Sequence, residues 1–503
     1  MGSVKSLAKD TAIYGVSSIL GRFLNWLLVP LYTNIFPTAE YGIVTYVYSV
    51  VALVLVILTC GMETGYFRFA NDDRFVNSRI VYSTSLIWIG SLCAVFLALV
   101  FLFLQPVTAW MECGGHSSFV ALMAVCVAVD AFTAVPFALL RQQHRAVKFA
   151  SLKIIGIAVN ISLNLFFILA CPLLAEHTPV MVSWFYDPSF GIGYIFLANL
   201  ISSLVMLPLL VPELTGFPWR FDRRLFAEMF RYAWPLLVLG FAGIMNQNLD
   251  KILLPHLISD PAVRMSVTGV YGACFKLGVV MVVFLQAFRF AYEPFIFDRS
   301  RGEGDDRRRS LAVVMKWFIA FAMMIFLAVM VYMPILQLLI GARYRSGIGI
   351  VPVIILGELF YGISSNLSVW YKKTDRTHWG MWLTLIGLAV VVSLNIILVP
   401  RIGYYGAAWA SFACYATMMI LSYLLGRKYY PVDYPLGRIF TYVALSLALW
   451  GVMILVSGEN KWVNMGVGTL LIAVYLFAVL RIEHISLRSA LPFRRAAAKR
   501  QSR

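Results

Sequence analysis

The stretch Ile155-Gly156-Ile157-Ala158-Val159-Asn160-Ile161-Ser162-Leu163-Asn164 returns 231 residues later as Ile386-Gly387-Leu388-Ala389-Val390-Val391-Val392-Ser393-Leu394-Asn395, identical at seven positions. Other matches keep the same order along the chain. At an offset of 225, Gly15 and Pro30 fall on Gly240 and Pro255; Gly42 has a counterpart in Gly269; and Phe67-Arg68-Phe69-Ala70 matches Phe288-Arg289-Phe290-Ala291. The chain therefore reads as two copies of one unit. The repeated stretch is also almost wholly apolar, as is the 503-residue chain around it, with 61% apolar and 13% charged residues and a mean hydropathy of +0.82. Soluble domains carry roughly a quarter charged residues, so the composition excludes one and indicates a membrane protein.

Apolar runs of about 20 residues, enough to cross a hydrocarbon core of about 30 Å, number fourteen. Six lie between Ala12 and Val211, the first being Ala12 to Phe36. Six lie between Ala233 and Leu425, and two follow, Leu436 to Val456 and Val463 to Leu480. The expected fold is an all-α polytopic membrane protein: an N-lobe over residues 1–212 (spans 1 to 6), a C-lobe over 213–428 (spans 7 to 12), and spans 13 and 14 with a basic tail over 429–503. An even number of spans per unit gives both lobes the same orientation, so the pseudo-twofold axis runs along the membrane normal, as in transporters whose lobes rock around a midplane site.

The net charge of +17 raises nucleic acid as a partner, but the distribution of the charge argues against it. Of 41 Lys and Arg residues, 33 fall on alternate connections and at both termini, five on the opposite connections and three within spans. That is the positive-inside pattern. It places both termini in the cytoplasm and attributes the basic balance to topology and anionic lipid, with no nucleic acid partner. The first apolar run is too long for a signal-peptide core, so span 1 is expected to persist. No connection exceeds about 20 residues, too few to fold alone, so function is expected within the membrane.

A charge at membrane depth costs at least about 2.5–3.5 kcal/mol and normally faces a cavity or a partner. Arg22, Asp130, Asp250, Lys251, Lys276 and Glu358 are such residues. Arg22 shares a helix face with Asn25, and Asn246 shares one with Asp250 in the equivalent span of the other lobe. The candidate cavity residues are Arg22, Asn25, Asn246, Asp250, Lys251, Lys276 and Glu358, with Arg68 and Arg289 as cytoplasmic gate candidates. The bland alternative is interhelical pairing, such as Asp250 with Lys276. Asn164 and Asn395, present in both copies, read equally as helix-packing amides. No catalytic constellation, cofactor motif or metal cluster stands out; Cys113 and Cys171 could meet as a disulfide on the outer face.

Leu7 to Gly15, Gly21-Arg22-Phe23-Leu24-Asn25, Ala39-Glu40-Tyr41-Gly42, Asp250-Lys251 and Gly403-Tyr404-Tyr405-Gly406-Ala407-Ala408 together resemble the polysaccharide transporter family of oligosaccharide flippases, in the multidrug/oligosaccharidyl-lipid/polysaccharide exporter superfamily. The resemblance spans nearly the whole chain. It implies a V-shaped central cavity, alternating access, and movement of undecaprenyl-pyrophosphate-linked repeat units across a bacterial inner membrane for O-antigen, capsule or exopolysaccharide synthesis. The expected partners are the lipid-linked oligosaccharide, a coupling ion (H+ or Na+) and a polysaccharide polymerase, around a monomer. The alternatives are a cation-coupled multidrug antiporter of the same superfamily or an intramembrane polysaccharide polymerase or ligase. An enzyme is disfavoured because the longest outer connection, Cys171 to Phe190, holds Glu176 and Asp187 but no Lys or Arg.

Two predictions follow from sequence. Cysteine labelling should find Glu176 and Arg307 on opposite sides of the membrane; the same side for both would break the span assignment. Arg22→Ala should insert normally, since it removes a buried charge, yet abolish glycan export, with Arg22→Lys restoring part of it because an ammonium lacks the planar guanidinium fork. Unchanged surface glycan in Arg22→Ala would make Arg22 merely structural.

Overall fold

A peptide group in hydrocarbon finds no water, so a chain this apolar must satisfy its backbone within helices or a closed barrel. The computed structural model takes the helical solution and describes Gly15, Leu20, Leu24 and residues 26–72, 78–113, 115–178, 180, 183–297, 305–456 and 458–484. Among the described residues there is no strand. Eleven helices are long and apolar enough to cross a membrane, or twelve when one bent pair counts as a single span. The protein is a multi-pass membrane protein of the all-α class. Two expected spans fall outside that count: the helix Gly193–Leu209 is apolar but has only 17 residues, and span 1 is described as a helix over Leu28–Ile35. Arg22 and Asn25 lie outside the described residues.

In chain order the helices are α1 (Leu28–Ile35), α2 (Thr38–Thr59), α3 (Met62–Ala70), α4 (Ser78–Leu102), α5 (Ser117–Gln142), α6 (Ala146–Leu165), α7 (Gly193–Leu209) and α8 (Arg223–Leu257). They continue as α9 (Arg264–Leu277), α10 (Val279–Phe297), α11 (Asp305–Val331), α12 (Val351–Leu367), α13 (His378–Ile402), α14 (Tyr404–Tyr429), α15 (Leu436–Val456) and α16 (Lys461–Ile482). Most ends lie within a few residues of the hydropathy boundaries. An exception is α8, which starts ten residues before the expected Ala233. Its first turns are too charged to register as apolar, and the Asp222 carboxylate caps it by accepting from the N–H groups of Arg224 and Leu225.

Two spans are broken where small residues allow it. Between α2 and α3, Cys60 and Gly61 both take left-handed backbone (φ 50° and 65°), and a Cβ on Gly61 would lie 2.9 Å from the Ala233 carbonyl oxygen of α8. Between α9 and α10 the axis bends by 46° at Gly278, where a Cβ would lie 2.9 Å from Ile354 of α12. This second break sets Lys276 at the end of α9.

Among the described glycines, the tightest backbone approach joins the repeated pair Gly42 and Gly269. A Cβ on Gly42 of α2 would sit 1.8 Å from the carbonyl oxygen of Met265, and one on Gly269 of α9 would sit 1.9 Å from that of Thr38. The pairs 42/265 and 269/38 exchange under an offset of 227, the isologous pattern of a twofold axis. Thr38 Oγ1 and Ser266 Oγ lie 2.6 Å apart beside it. At the same end the guanidinium of Arg264 donates to Glu112, the Tyr46 hydroxyl lies 3.0 Å from His256 Nε2, Thr33 Oγ1 accepts from the Gly341 N–H, and the Tyr344 hydroxyl donates to the Phe36 carbonyl. One end of the bundle is thereby closed between residues on either side of position 212.

The repeated motif does similar packing work twice: Gly156 of α6 lies against Met206 of α7, and Gly387 of α13 against Met418 of α14. Helices α15 and α16 dock on α11. Ser446 and Tyr475 donate to the carbonyls of Met323 and Ala320, and Glu483 accepts from Lys316 and Tyr442 and pairs with Arg438 at 3.3 Å.

Because the obstacles at Gly42 and Gly269 are backbone atoms, no rotamer change can relieve a new side chain there. Gly269→Val should lower stability by about 1–3 kcal/mol or more, read as the thermal unfolding midpoint in detergent. Gly466→Val, at a site with nothing within 4 Å of a Cβ, should leave it unchanged. Equal midpoints for the two variants would refute the close contact.

Candidate functional site

Beneath the closed end lies a cavity of about 710 Å³ bordered by helices from both halves of the chain. It starts at Tyr41, one residue before the Gly42 contact, and reaches Arg289 on α10. On α8 its wall is Ile244, Gln247, Asn248 and Lys251, a spacing of three, four and seven that defines one helix face. The expected pair Asn246 and Asp250 lies one residue off this face and turns away. Asn246 is buried and its Nδ2 donates to the Thr384 carbonyl of α13 at 3.1 Å, so it is a packing residue and does not border the cavity.

Asp250 is 1% exposed and fully engaged. It accepts from the Lys251 N–H at 2.8 Å, Lys251 Nζ at 3.1 Å, the Tyr271 hydroxyl, and Ser411 Oγ at 3.4 Å. Its cationic partner is therefore the adjacent Lys251, and the suggested pairing with Lys276 is not the one formed. Lys251 also donates to the Gln247 carbonyl at 2.9 Å and lies 3.8 Å from the centre of the Phe275 ring, a cation–π contact. Asp250 and Glu358 also border a small void of about 10 Å³, room for one water.

Besides Lys251, the charged residues on the cavity wall are Lys276, Arg289 and Glu358. Lys276 is exposed to the cavity, its carbonyl accepting from the Trp26 indole at 2.8 Å. Glu358, 7% exposed, has no hydrogen-bond partner among the described residues. Every charged residue that borders the cavity, among those described, comes from α8, α9, α10 or α12; the border from α1, α2, α6 and α7 is tyrosines, amides, hydroxyls and apolar side chains. The other gate candidate, Arg68, is elsewhere, its guanidinium 4.2 Å above the Tyr232 ring. Asp130 is likewise outside the cavity, accepting from Ser203 of α7 at 2.7 Å.

The sequence did not single out Asn199, Gln286 or Asn366, which also border the cavity. Amides within apolar spans were the available signal, but the helix face they occupy is set by packing. Among the described residues no three His, Cys, Asp or Glu side chains cluster as metal ligands. The cysteines are free and buried, so Cys113 and Cys171 form no disulfide here. Burial in its connecting segment pushes the Cys113 thiol up to about 12, far from the thiolate a metal requires.

The family described as "Polysaccharide biosynthesis protein" matches residues 7–298. Among solved structures, "Lipid II flippase MurJ, inward closed conformation" aligns over 93% of this chain and 99% of its own with 14% identity and a TM-score of 0.69. A multidrug resistance MATE family transporter of the MOP superfamily, in an inward-facing conformation, aligns over 84% and 94% with 13% identity and a TM-score of 0.62. These likenesses identify the fold. No curated protein matches the sequence.

Asp250→Leu should cost about 3–5 kcal/mol by stranding the Lys251 ammonium, whereas Asp250→Leu with Lys251→Met should recover most of it. Thermal unfolding of the purified variants checks this; a double variant no more stable than the single one would show that the pair is not what holds α8 in place.

Proposed function

Because the chain belongs to the polysaccharide biosynthesis protein family, we propose that it is a flippase for lipid-linked oligosaccharides, working by alternating access between lobes 1–212 and 213–428. The observation that carries the reading is the polarised cavity. A lipid pyrophosphate brings two or more negative charges into a low-dielectric space, where a cationic wall offsets their desolvation. With Lys251 neutralised by Asp250, Lys276 and Arg289 still outnumber Glu358 there. The amides and tyrosines on the remaining wall suit a sugar, which offers both donors and acceptors.

On the charge distribution, the closed end faces outward and the termini are cytoplasmic, in a bacterial inner membrane. The cavity then receives substrate from the inside. With the cell interior negative, outward passage of two negative charges gains about 4.6 kcal/mol per 100 mV, at about 2.3 kcal/mol per charge. The Gly42/Gly269 contact is the hinge or seal that must part for release outward.

The competing reading is a cation-coupled multidrug antiporter, which Glu358, without a hydrogen-bond partner among the described residues, favours. One experiment separates them. In cells where this chain is the sole flippase, Lys276→Ala should cut surface glycan at least about tenfold, the worth of a charge-assisted contact of about 1.5–3 kcal/mol, and Lys276→Arg should restore much of it. Unaltered glycan together with a changed susceptibility to cationic drugs, abolished by Glu358→Gln, would replace the flippase with the antiporter.

A further inference from the structure

The repeated stretch that revealed the two halves is not equally equipped in both. Asn164 and Asn395 are fully buried equivalents, each donating through Nδ2 to the backbone carbonyl four residues back, at 2.8 Å to Asn160 and 2.7 Å to Val391. In the second half the amide stops there, its Oδ1 buried without a partner. In the first half two further polar groups join. The Tyr32 hydroxyl of α1 donates to Asn164 Oδ1 at 2.8 Å, and Asn164 Nδ2 also reaches Asn160 Oδ1 at 2.9 Å.

This relay fixes which way each amide faces. A backbone carbonyl only accepts, so the atom of Asn164 that meets the Asn160 carbonyl must be its nitrogen, and the atom that meets Tyr32 its oxygen. The Asn160 atom facing Asn164 Nδ2 must then be an acceptor, Oδ1. What remains is Asn160 Nδ2, with two N–H groups and no partner among the described residues, on a side chain that borders the central cavity. Position 391 is Val, and position 257, which matches Tyr32 at the offset of 225, is Leu, so the second half has no such donor.

We propose that Asn160 is a sugar-binding residue: its Nδ2 donates to a hydroxyl or acetamido oxygen of the sugar next to the pyrophosphate, while the wall bearing Lys276 and Arg289 faces the phosphates. Tyr32 and Asn164 are positioning residues that aim the donor. The inference rests on the flippase reading and assigns a subsite within it. A neutral N–H donor gives one directed bond to oxygen with no charge to desolvate, which suits a group that must be released on the far side.

The test separates sugar from phosphate. Binding to purified protein in nanodiscs is measured with two probes, undecaprenyl pyrophosphate and the same lipid carrying one N-acetylhexosamine. Wild type should bind the sugar-bearing lipid more tightly. Asn160→Leu should weaken that binding about threefold to tenfold, the range of one net hydrogen bond, and leave the bare lipid pyrophosphate unaffected. Asn160→Asp keeps the acceptor for Asn164, removes the donor and adds a negative charge that weakens both lipid pyrophosphates alike, so it should lose the same sugar-dependent increment, read as the ratio of the two affinities, even if Leu disturbs folding. Tyr32→Phe should lose part of it. Lys276→Ala, by contrast, should weaken both probes. Retention of the full sugar increment in Asn160→Asp, or equal loss of both probes in it, would overturn the assignment; a wild type that binds neither probe would overturn the flippase reading itself.

Discussion

Two backbones, at Gly42 and Gly269, approach so closely that neither position has room for a Cβ, and much of the rest of the structure depends on that contact. Lipid tails are as apolar as Leu, so helices in a bilayer gain little from hiding apolar surface against one another and associate instead through close packing and interhelical hydrogen bonds. Small residues at the crossing let α2 and α9 meet, the Thr38/Ser266 pair adds hydroxyl contact, and the helices diverge below. The cavity is the space left by that divergence. The contact is isologous, and polar links stand beside it, Arg264 to Glu112 and Tyr46 with His256.

Electrostatics then decides what the cavity presents. Four ionisable groups from α8, α9 and α12 stand near one another, and if all faced the same space their charges would cancel. The helix geometry prevents that. Asp250 turns into the contacts with Tyr271 and Ser411 and takes the Lys251 head with it, so the pair is internally neutral and its cost of desolvation is borne by short hydrogen bonds. Lys276, placed at a break in its span, and Arg289, at the far end of the cavity, both border the same space. A sequence count of three acids against three bases at membrane depth does not show which charges are paired with each other; the contacts of Asp250 and Lys251 do.

The all-α membrane fold was legible because hydropathy reports on a constraint that acts along one chain. Helix faces were not legible in the same way. Asn246 and Asp250 form an i,i+4 pair in the sequence, but the cavity face of α8 runs through Gln247, Asn248 and Lys251, one residue and about 100° away. In a soluble helix the apolar stripe marks the inner face. A span is apolar on all sides, and its polar residues are divided between packing and cavity by neighbours that its own sequence does not name. The same ambiguity affected Arg68 and Arg289, identical in local sequence yet placed one over Tyr232 and the other on the cavity.

The two copies also show how a site arises on a symmetric scaffold. Asn164 and Asn395 hold their helices in the same way, so the buried amide belongs to the scaffold and would persist without any ligand. A second amide one turn away and a tyrosine from another helix convert the first copy's packing residue into the middle of a relay that ends in a free donor. In the second copy Val391 and Leu257 occupy those places, and the equivalent oxygen is left without a partner, a cost the fold carries with no gain in that half. Shared residues of a repeat thus report on architecture, while positions where the copies differ are where recognition has been added.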